Sequence, residues 1–225
     1  MTVYKLVCFD LDETLVDGTD YIYNTLHINL KTDAVKRNAT ADKFFSNKIT
    51  YKEWFEHDRE LWKAVGAKKS DMLNAIKDVN LHEGAKETLT ELKRHGIKIA
   101  LISGSIDLVL EKAFGDYNDF FDYVFINKVF FDKEGNIVGG EHTPFDMDHK
   151  ATGFKMIAKK EGFKLSECIF VSDNENDIHI AKAAGLSIAF NCISERLAKT
   201  CDVVVKGTDL RFILKHIIKE YKLEQ

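Results

Sequence analysis

Short apolar runs alternate with helix-like stretches along most of the chain, and this alternation restricts the folds that are open to it. The runs hold four to seven residues, are rich in β-branched and aromatic side chains, and are too short for an ordinary buried helix, so we interpret them as buried strands. They span 3–9, 97–102, 168–171, 186–190 and 202–205. Apolar residues at helical period over 210–221 predict a last helix packed on the sheet. Strands that alternate with helices predict an α/β fold with a doubly wound parallel sheet covered on both faces.

Two segments interrupt the alternation. Residues 17–83 contain no strand pattern, but their aromatic and aliphatic residues recur at helical spacing, which predicts a helical insertion between the first and second strands. The aromatic and β-branched residues of 123–142 flank a strong turn signal, which predicts a β-hairpin. The predicted organisation is therefore a core of residues 1–16 and 84–225 with an inserted helical domain of residues 17–83.

Polar residues follow three of the predicted strands. Asp10 and Asp12 come directly after the first run, residues 103–105 (Ser-Gly-Ser) follow the second, and an acidic and amide-rich segment, 172–177, follows the run at 168–171. Because the carboxyl ends of parallel strands meet at one edge of a sheet, where open α/β sheets bind ligands, we expect these three sets to converge. Two carboxylates held close together need a cation or a shared proton. The three sets therefore predict a site for a hard cation and a phosphate.

Composition limits the classes of partner. Lys and Arg total 32 against 36 Asp and Glu, a net charge of -4, which gives no reason to expect nucleic acid or an anionic membrane as partner. No apolar stretch reaches the length of a membrane span, and the first Asp comes too early for a signal peptide. The four cysteines form no Cys-x-x-Cys pair, which favours free thiols and a cytoplasmic location. The sequence predicts no particular oligomeric state.

The ordered motifs resemble those of the haloacid dehalogenase (HAD) superfamily, and of its phosphoserine phosphatase-like branch in particular. The matching segments are 9–15 for the first motif, 102–105 for the second, Lys150 for the third and 172–177 for the fourth. The inserted helical domain corresponds to the cap of that branch, and the hairpin is shared as well. The resemblance implies a HAD-like Rossmannoid core and phosphoryl transfer from a small phosphorylated metabolite through an aspartyl phosphate.

Roles for the acidic residues follow from the resemblance. It implies Asp10 as the nucleophile and Mg²⁺ as the cofactor, held by Asp10, the main-chain carbonyl of Asp12, and Asp173. Asp12 is expected to protonate the leaving oxygen as general acid and then to activate water as general base. A dehalogenase does not need this second aspartate, so Asp12 favours a phosphatase or a phosphotransferase. Asp177 is expected to orient metal-bound water without binding the metal itself.

The resemblance also implies residues that bind the substrate or its phosphate. These are Thr14, Ser103, Gly104 and Asn176. Glycine at 104 permits the close backbone approach that a phosphate contact requires. A lysine is expected to neutralise charge on the transferring group and on the nucleophile. We assign Lys150 to this role rather than Lys155, because its spacing to Asp173 fits this branch of the family.

The inserted domain, residues 17–83, which we call the cap, is expected to select the alcohol that carries the phosphate. In phosphoserine phosphatases an acidic residue shortly after the first motif meets the substrate amine, and here that position is Thr19. Those enzymes also use a cap arginine for the substrate carboxylate, for which Arg59 is the candidate. Trp54 and Trp62 are interpreted as cap core, with Trp62 the one that could face the substrate.

The function predicted by the sequence is a Mg²⁺-dependent phosphatase that hydrolyses a small-metabolite phosphomonoester, with L-phosphoserine as the candidate substrate. A phosphotransferase or mutase, in which a second hydroxyl receives the phosphoryl group, is the first alternative. A non-catalytic, ligand-binding regulator is the second, and the intact set of acids and the candidate lysine argue against it.

Overall fold

The computed structural model describes residues 4–19, 21–146, 149–219 and 221. The strands are β1 (Leu6–Phe9), β2 (Val16–Asp17), β3 (Asn80–Leu81), β4 (Lys98–Ile106), β5 (Tyr123–Phe131), β6 (Ile137–Glu141), β7 (Cys168–Ser172), β8 (Leu186–Phe190) and β9 (Val203–Val205). The α-helices are α1 (Ile22–Asn29), α2 (Ala34–Phe45), α3 (Tyr51–Ala64), α4 (Lys69–Ala75), α5 (Ala85–Arg94), α6 (Asp107–Phe114), α7 (Lys150–Glu161), α8 (Ile178–Ala181), α9 (Glu195–Thr200) and α10 (Leu214–Ile217).

Seven strands form one sheet in the order β6-β5-β4-β1-β7-β8-β9. Strand β1 lies in the middle and pairs in parallel with both β4 and β7. Its side chains alternate between the two faces, so Val7 and Phe9 join one apolar cluster while Leu6 and Cys8 join the other. Both faces are thus covered, which is why the central strands read as unbroken apolar runs. The predicted doubly wound α/β fold is confirmed.

The helices divide between the two faces of the sheet. The first cluster takes apolar residues from α5, α6 and the carboxyl-terminal helical turns, including Leu89, Leu108 and Ile213. The second takes residues from α7, α8 and α9, such as Phe154 and Leu197. Because β4, β1 and β7 are neighbouring parallel strands, their carboxyl ends lie at one edge of the sheet, and the polar residues at these ends meet there.

The predicted hairpin is present as β5 and β6, which pair antiparallel. Asp132 closes the turn by accepting hydrogen bonds from the backbone and side-chain nitrogens of Asn136 at 2.8 and 2.9 Å. Gly135 adopts φ +82°, a left-handed conformation that favours glycine. Strand β5 also pairs in parallel with β4, so the hairpin widens the main sheet, which the sequence pattern did not indicate.

Between β1 and α5, the regular elements are the helices α1 to α4 and the two short strands β2 and β3. Strands β2 and β3 pair antiparallel and bracket α1 to α4. Helix α2 begins at the Asp33 cap, whose carboxylate accepts from two backbone N–H groups, and α3 begins with a capping box between Thr50 and Glu53. Tyr23 and Trp62 join the same apolar cluster as the central strands. The exact division into a core and a cap stays a prediction.

The carboxyl-terminal segment and the first strand differ from what the sequence predicts. The last helical pattern, 210–221, forms a short 3₁₀ turn and the one-turn helix α10, after which Ile218 is extended with ψ 118°. The amphipathic pattern therefore marks buried residues without marking a long helix. The first strand begins at Leu6, and Val3 lies outside the described residues. None of the helices in the described ranges combines the length and the apolar character that crossing a membrane requires.

Candidate active site

A cavity of about 430 Å³ opens at the carboxyl edge of the sheet, between the strand ends and the cap helices. Its floor is formed by residues that follow β1 and β7 and by the last part of β4, and its other wall by residues of α1, α2 and α3. The cavity is lined by Asp10, Asp12, Tyr21, Asn24, Arg37, Ala41, Phe45, Trp54, Ser103, Gly104, Ser105, Asp146, Lys150, Asp173, Asn174, Glu175 and Asn176. The cavity therefore joins the three predicted polar sets in one place.

Asp10 has two different carboxylate oxygens. Oδ2 lies 3.0 Å from the ammonium of Lys150, which is itself buried and also lies 2.8 Å from Asp177. Oδ1 is buried and has no hydrogen-bond partner among the described residues. Burial disfavours the charged ammonium, but the negative charges of Asp10 and Asp177 outweigh burial and raise the pKa of Lys150. The lysine is thus a permanent cation that fixes one oxygen of Asp10 and leaves the other free.

Asp12 is held by β4 and by the first residue of α1. Its Oδ1 accepts a hydrogen bond from the Ser105 hydroxyl at 2.7 Å, and its Oδ2 accepts from the backbone N–H of Ile22 at 3.3 Å. Burial, followed by the charge of Asp10, raises the pKa of the Asp12 carboxyl to about 7, against the opposing effect of the two hydrogen bonds. Such a carboxyl exchanges a proton readily near neutral pH.

The turn after β1 places these two aspartates. The carbonyl of Leu11 accepts from the backbone nitrogens of Thr14, Leu15 and Val16, and Glu13 adopts φ +56°. This tight turn redirects the chain into β2 within a few residues. Leu11 joins the same apolar cluster as Phe9, so the alternation of the strand continues past its end and places Asp10 and Asp12 together on the other side, where both line the cavity.

Asp173 lies beside this pair at the end of β7. The hydroxyl of Thr14 donates to its Oδ1 at 3.0 Å. Burial and then the charge of Asp10 raise the pKa of the Asp173 carboxyl to about 7, which reflects the crowding of acids at this edge. Asn176 also lines the cavity, whereas Asp177 is fully buried behind it against Lys150.

Ser103 and Gly104 lie within the last part of β4, where the register with β5 shifts between Ile102 and Ile106, and both line the cavity. The expectation that residues 103–105 follow the strand is therefore wrong, because the strand continues to Ile106.

The N–H of Ser105 donates to the Ser103 hydroxyl at 3.2 Å, and the carbonyl of Gly104 accepts from the side chain of Asn127 at 2.6 Å. A Cβ at position 104 would overlap the carboxylate of Asp146, so a larger residue there would require the Asp146 side chain to move. Asn127 also donates to the hydroxyl of Tyr51 at 2.6 Å, and this contact ties this part of β4 to α3.

The residues at this edge fit a hard divalent cation. The unpartnered Asp10 Oδ1 and the neighbouring Asp173 carboxylate are oxygen donors of the type that Mg²⁺ prefers. Within the described ranges, no group of three or more His, Cys, Asp or Glu side chains is arranged to hold a metal. The site thus offers two carboxylates, with the main-chain carbonyl of Asp12 as the third expected protein ligand. This number suits Mg²⁺, which usually keeps several waters and binds few carboxylates.

The structure does not bring every predicted site residue to the cavity. Thr14 is fully buried behind Asp173, and Arg59 lies beside Glu60 at 3.6 Å, away from the lining residues. The structure therefore gives no support for a direct contact between the substrate and the side chain of Thr14 or Arg59. Thr19 is buried too, with its hydroxyl 2.7 Å from that of Thr25. Lys155 is exposed on α7, whereas Lys150 lies among the acids.

The cap contributes residues that the sequence analysis did not select. Arg37, Asn24 and Phe45 line the cavity, and Trp54 does so in place of Trp62, which is fully buried against Tyr23. Which face of each cap helix meets the cavity depends on how four short helices pack together. The helical periodicity alone gave no signal that distinguished Arg37 from the other cap cations, or Trp54 from Trp62.

Comparisons with known proteins identify the family and the fold of this chain. The family model of haloacid dehalogenase-like hydrolases matches residues 4–185. The chain is 32% identical to the phosphoserine phosphatase of Methanocaldococcus jannaschii over 216 residues, which cover 95% of this chain and 97% of that protein. It is 28% identical to the phosphoserine phosphatase of Lactococcus lactis, covering 97% and 98%. A solved structure of a phospho-aspartyl intermediate analogue of phosphoserine phosphatase superposes with a TM-score of 0.72 at 28% identity, covering 96% of this chain and 99% of that one.

Proposed function

The chain belongs to the haloacid dehalogenase-like hydrolases and is a phosphomonoesterase, and on that premise we propose that Asp10 is its nucleophile, Mg²⁺ its cofactor and L-phosphoserine a substrate. The main support for the proposal is the state of Asp10, which lines the cavity: one carboxylate oxygen lies 3.0 Å from the Lys150 ammonium, and the other is buried with no hydrogen-bond partner among the described residues. Attack by this second oxygen would not require a hydrogen bond to be broken first.

In the first half of the reaction, Asp10 Oδ1 forms a bond to phosphorus while the bond between phosphorus and the leaving oxygen breaks. Asp12 delivers its proton to that oxygen, so the alcohol departs neutral. Ser103, the Gly104 amide and Lys150 bind the phosphate oxygens throughout. Ser105 and the Ile22 amide keep the Asp12 carboxyl in place for this transfer.

In the second half, water replaces the alcohol. Asp12, now ionised, accepts a proton from the water as its oxygen attacks phosphorus, and the bond to Asp10 breaks to release phosphate. Phosphatases of this family generally use Mg²⁺, which when bound supplies positive charge that offsets the repulsion between the nucleophile and the anionic ester. Asp10, Asp173 and the carbonyl of Asp12 are the groups that would hold it.

L-phosphoserine is proposed because two relatives that match nearly the whole chain are phosphoserine phosphatases. A small phosphorylated metabolite also suits a cavity of about 430 Å³, which lies within the roughly 300–1,000 Å³ typical of small-molecule sites. The cytoplasmic location stays a prediction.

Phosphate release from a panel of phosphomonoesters, with L-phosphoserine among them, tests the proposal. We expect release that requires added Mg²⁺, stops with chelator and falls at least a thousandfold in Asp10→Asn, which keeps the shape of the side chain but removes the nucleophile. Release that persists in Asp10→Asn, or no release from any ester by folded protein, would contradict the proposal.

The acceptor is tested in the same assay by adding alcohols. Hydrolysis predicts that one phosphate is released for each ester consumed, whatever alcohol is present. A new phosphoester that grows with the alcohol concentration would instead assign the chain to the phosphotransferases.

A further inference from the structure

Asn127 of β5 is a fully buried polar side chain that has no part in the proposed chemistry. Its Oδ1 accepts from the backbone N–H of Thr143 at 2.8 Å, and this contact determines which end of the amide is the oxygen and which the nitrogen. Its Nδ2 therefore faces three oxygen atoms: the Gly104 carbonyl at 2.6 Å and the hydroxyls of Tyr51 at 2.6 Å and Tyr23 at 2.8 Å. One side chain thus contacts the last part of β4, α3 and α1.

The Gly104 carbonyl is the partner that depends most on Asn127. A hydroxyl can donate as well as accept, whereas a carbonyl oxygen only accepts. The Tyr51 hydroxyl also lies near this carbonyl, but at 3.4 Å, which is long for a hydrogen bond between two oxygens. Nδ2 carries two hydrogens, so after one is donated to the carbonyl, one remains for the two tyrosine hydroxyls.

The peptide between Gly104 and Ser105 connects this hydrogen bond to the Ser103 hydroxyl. In a trans peptide the carbonyl and the N–H point in opposite directions. With its carbonyl held by Asn127, this peptide directs the N–H of Ser105 toward Ser103 Oγ at 3.2 Å. The Ser103 oxygen accepts on this side, so the single hydrogen of its hydroxyl is left for another acceptor. Because Ser103 lines the cavity, a phosphate oxygen bound there can be that acceptor.

We propose that Asn127 is a positioning residue for phosphate binding, which makes the Ser103 hydroxyl a donor by holding the peptide that follows Gly104. Through the hydroxyls of Tyr23 and Tyr51 it also couples the cap to that donor. A shift of the cap on the sheet would move these two hydroxyls and change how the two hydrogens of Nδ2 are shared. The inference rests on the proposed function, which assigns the phosphate contact to Ser103, and it adds the residue that orients this contact.

Calorimetric titration of inorganic phosphate into the protein in the presence of Mg²⁺ tests the positioning role. Asn127→Leu is similar in size and uncharged but cannot donate, so we expect phosphate to bind at least tenfold more weakly. Asn127→Asp keeps the acceptor for Thr143 and provides a second variant, which at pH 8 should weaken binding at least as much. The control is Asn38→Asp, since Asn38 is exposed on α2 and absent from the cavity lining, and its affinity should stay within twofold of wild type.

A double-mutant cycle tests whether the effect passes through Ser103. Ser103→Ala removes the hydroxyl that Asn127 is proposed to orient, so Asn127→Leu or Asn127→Asp should weaken phosphate binding by less than a further twofold in that background. A general structural effect, or a direct repulsion by the new carboxylate, would persist without the hydroxyl. Full persistence of the loss in the Ser103→Ala background would overturn the positioning role, and so would unchanged phosphate affinity in either folded variant.

Removal of the tyrosine hydroxyls tests the coupling to the cap. Tyr51→Phe combined with Tyr23→Phe keeps both rings, and we expect phosphate to bind at least threefold more weakly, with no further loss in the Asn127→Leu background. Tyr117→Phe is the control, because Tyr117 lies in the 3₁₀ turn between α6 and β5 and is absent from the cavity lining. An unchanged affinity in the double tyrosine variant, or the same loss with and without Asn127, would overturn the coupling.

Phosphate binding requires no turnover, so this inference and the proposed function can fail separately. If Asn127→Leu loses phosphate affinity only when Ser103 is present, but the wild-type chain hydrolyses no ester, the proposed function fails and the positioning role stands. If esters are hydrolysed through Asp10 and Asn127→Leu binds phosphate as wild type does, the positioning role fails alone. No binding of phosphate by the wild-type chain would contradict both.

Discussion

At the scale of single residues, Lys150 connects the chemistry of the site to its stability. Its ammonium is enclosed between Asp10 and Asp177, and both acids depend on it for compensation of their charge. Asp177 is fully buried, so removal of the lysine leaves a carboxylate in the interior with no cation beside it. Breaking a buried pair in this way typically costs about 3–5 kcal/mol.

Lys150→Met should therefore lower the free energy of unfolding by about 3–5 kcal/mol and reduce kcat by about a hundredfold or more. Lys155→Met is the matched control, because that side chain is exposed on the same helix, and both quantities should stay close to wild type. Urea denaturation and a phosphate-release assay measure the two effects. Turnover that survives in folded Lys150→Met, or that is lost in Lys155→Met, would contradict the assignment.

The sequence did not predict which arginine of the cap lines the cavity. Asp10 and Asp173 follow strands directly and Ser103 follows the apolar run of β4, and the end of an apolar run is a position that the local sequence marks well. Arg37 and Arg59 both lie on cap helices, and their local sequences do not differ in any feature that determines which of them faces the cavity. That choice depends on helix packing, which the helical periodicity does not specify.

At the scale of elements, α6 begins with a carboxyl group that folding makes less acidic. Asp107 accepts a hydrogen bond from the N–H of Val129 at 3.1 Å and thereby connects α6 to β5. Burial raises the pKa of the Asp107 carboxyl to about 6, although its backbone hydrogen bonds oppose the shift. A carboxyl whose pKa is higher in the folded state binds its proton more tightly there than in the unfolded chain. Its contribution to stability is therefore lost as the pH rises from about 4 to about 6.

Asp107→Asn removes this penalty while keeping an oxygen that can accept from Val129. We expect the variant to be more stable than wild type by about 1–3 kcal/mol at pH 7.5, and equal to it within error at pH 4, where the wild-type carboxyl is protonated in the folded state. Urea denaturation at the two pH values measures the difference. A difference in stability that is the same at both pH values would show that Asp107 is not the group responsible.

The sequence predicted the buried strands well, but it did not predict the pairing of β5 with β4 or the length of the last helix. Buried parallel strands are short and apolar throughout, so their positions follow from local sequence. The parallel pairing of β5 with β4 was not predictable in this way, because a turn signal specifies only the neighbouring strand of the hairpin. The short helix α10 is a second exception, since the apolar period over 210–221 records burial and not helix length.

At the scale of the whole molecule, the cap helices and the sheet share one apolar cluster. Tyr23 and Trp62 from the cap belong to the same buried cluster as Phe9 of the central strand. Polar contacts add to it, among them the ion pair between Lys69 and Glu111 at 2.7 Å. Elements that share a core in this way usually unfold together.

The chain has two tryptophans, at positions 54 and 62, and both lie on α3, so tryptophan fluorescence reports on the cap while far-UV circular dichroism reports on all elements. We predict that urea unfolding followed by the two signals gives coincident transitions with the same midpoint. A fluorescence transition at clearly lower urea would show that the cap unfolds by itself.

In the proposed reaction Asp10 carries the phosphoryl group during turnover. Detection of a phosphorylated Asp10 is the most direct test of this step. We would mix enzyme, Mg²⁺ and the best ester, quench with acid within the first turnovers and identify the phosphorylated peptide by mass spectrometry. We expect one phosphoryl group on Asp10 that neutral hydroxylamine removes, because an acyl phosphate reacts in this way, and none in Asp10→Asn. A phosphoryl group on Asp12 or Ser103, or rapid phosphate release with no labelled peptide under conditions that preserve acyl phosphates, would contradict it.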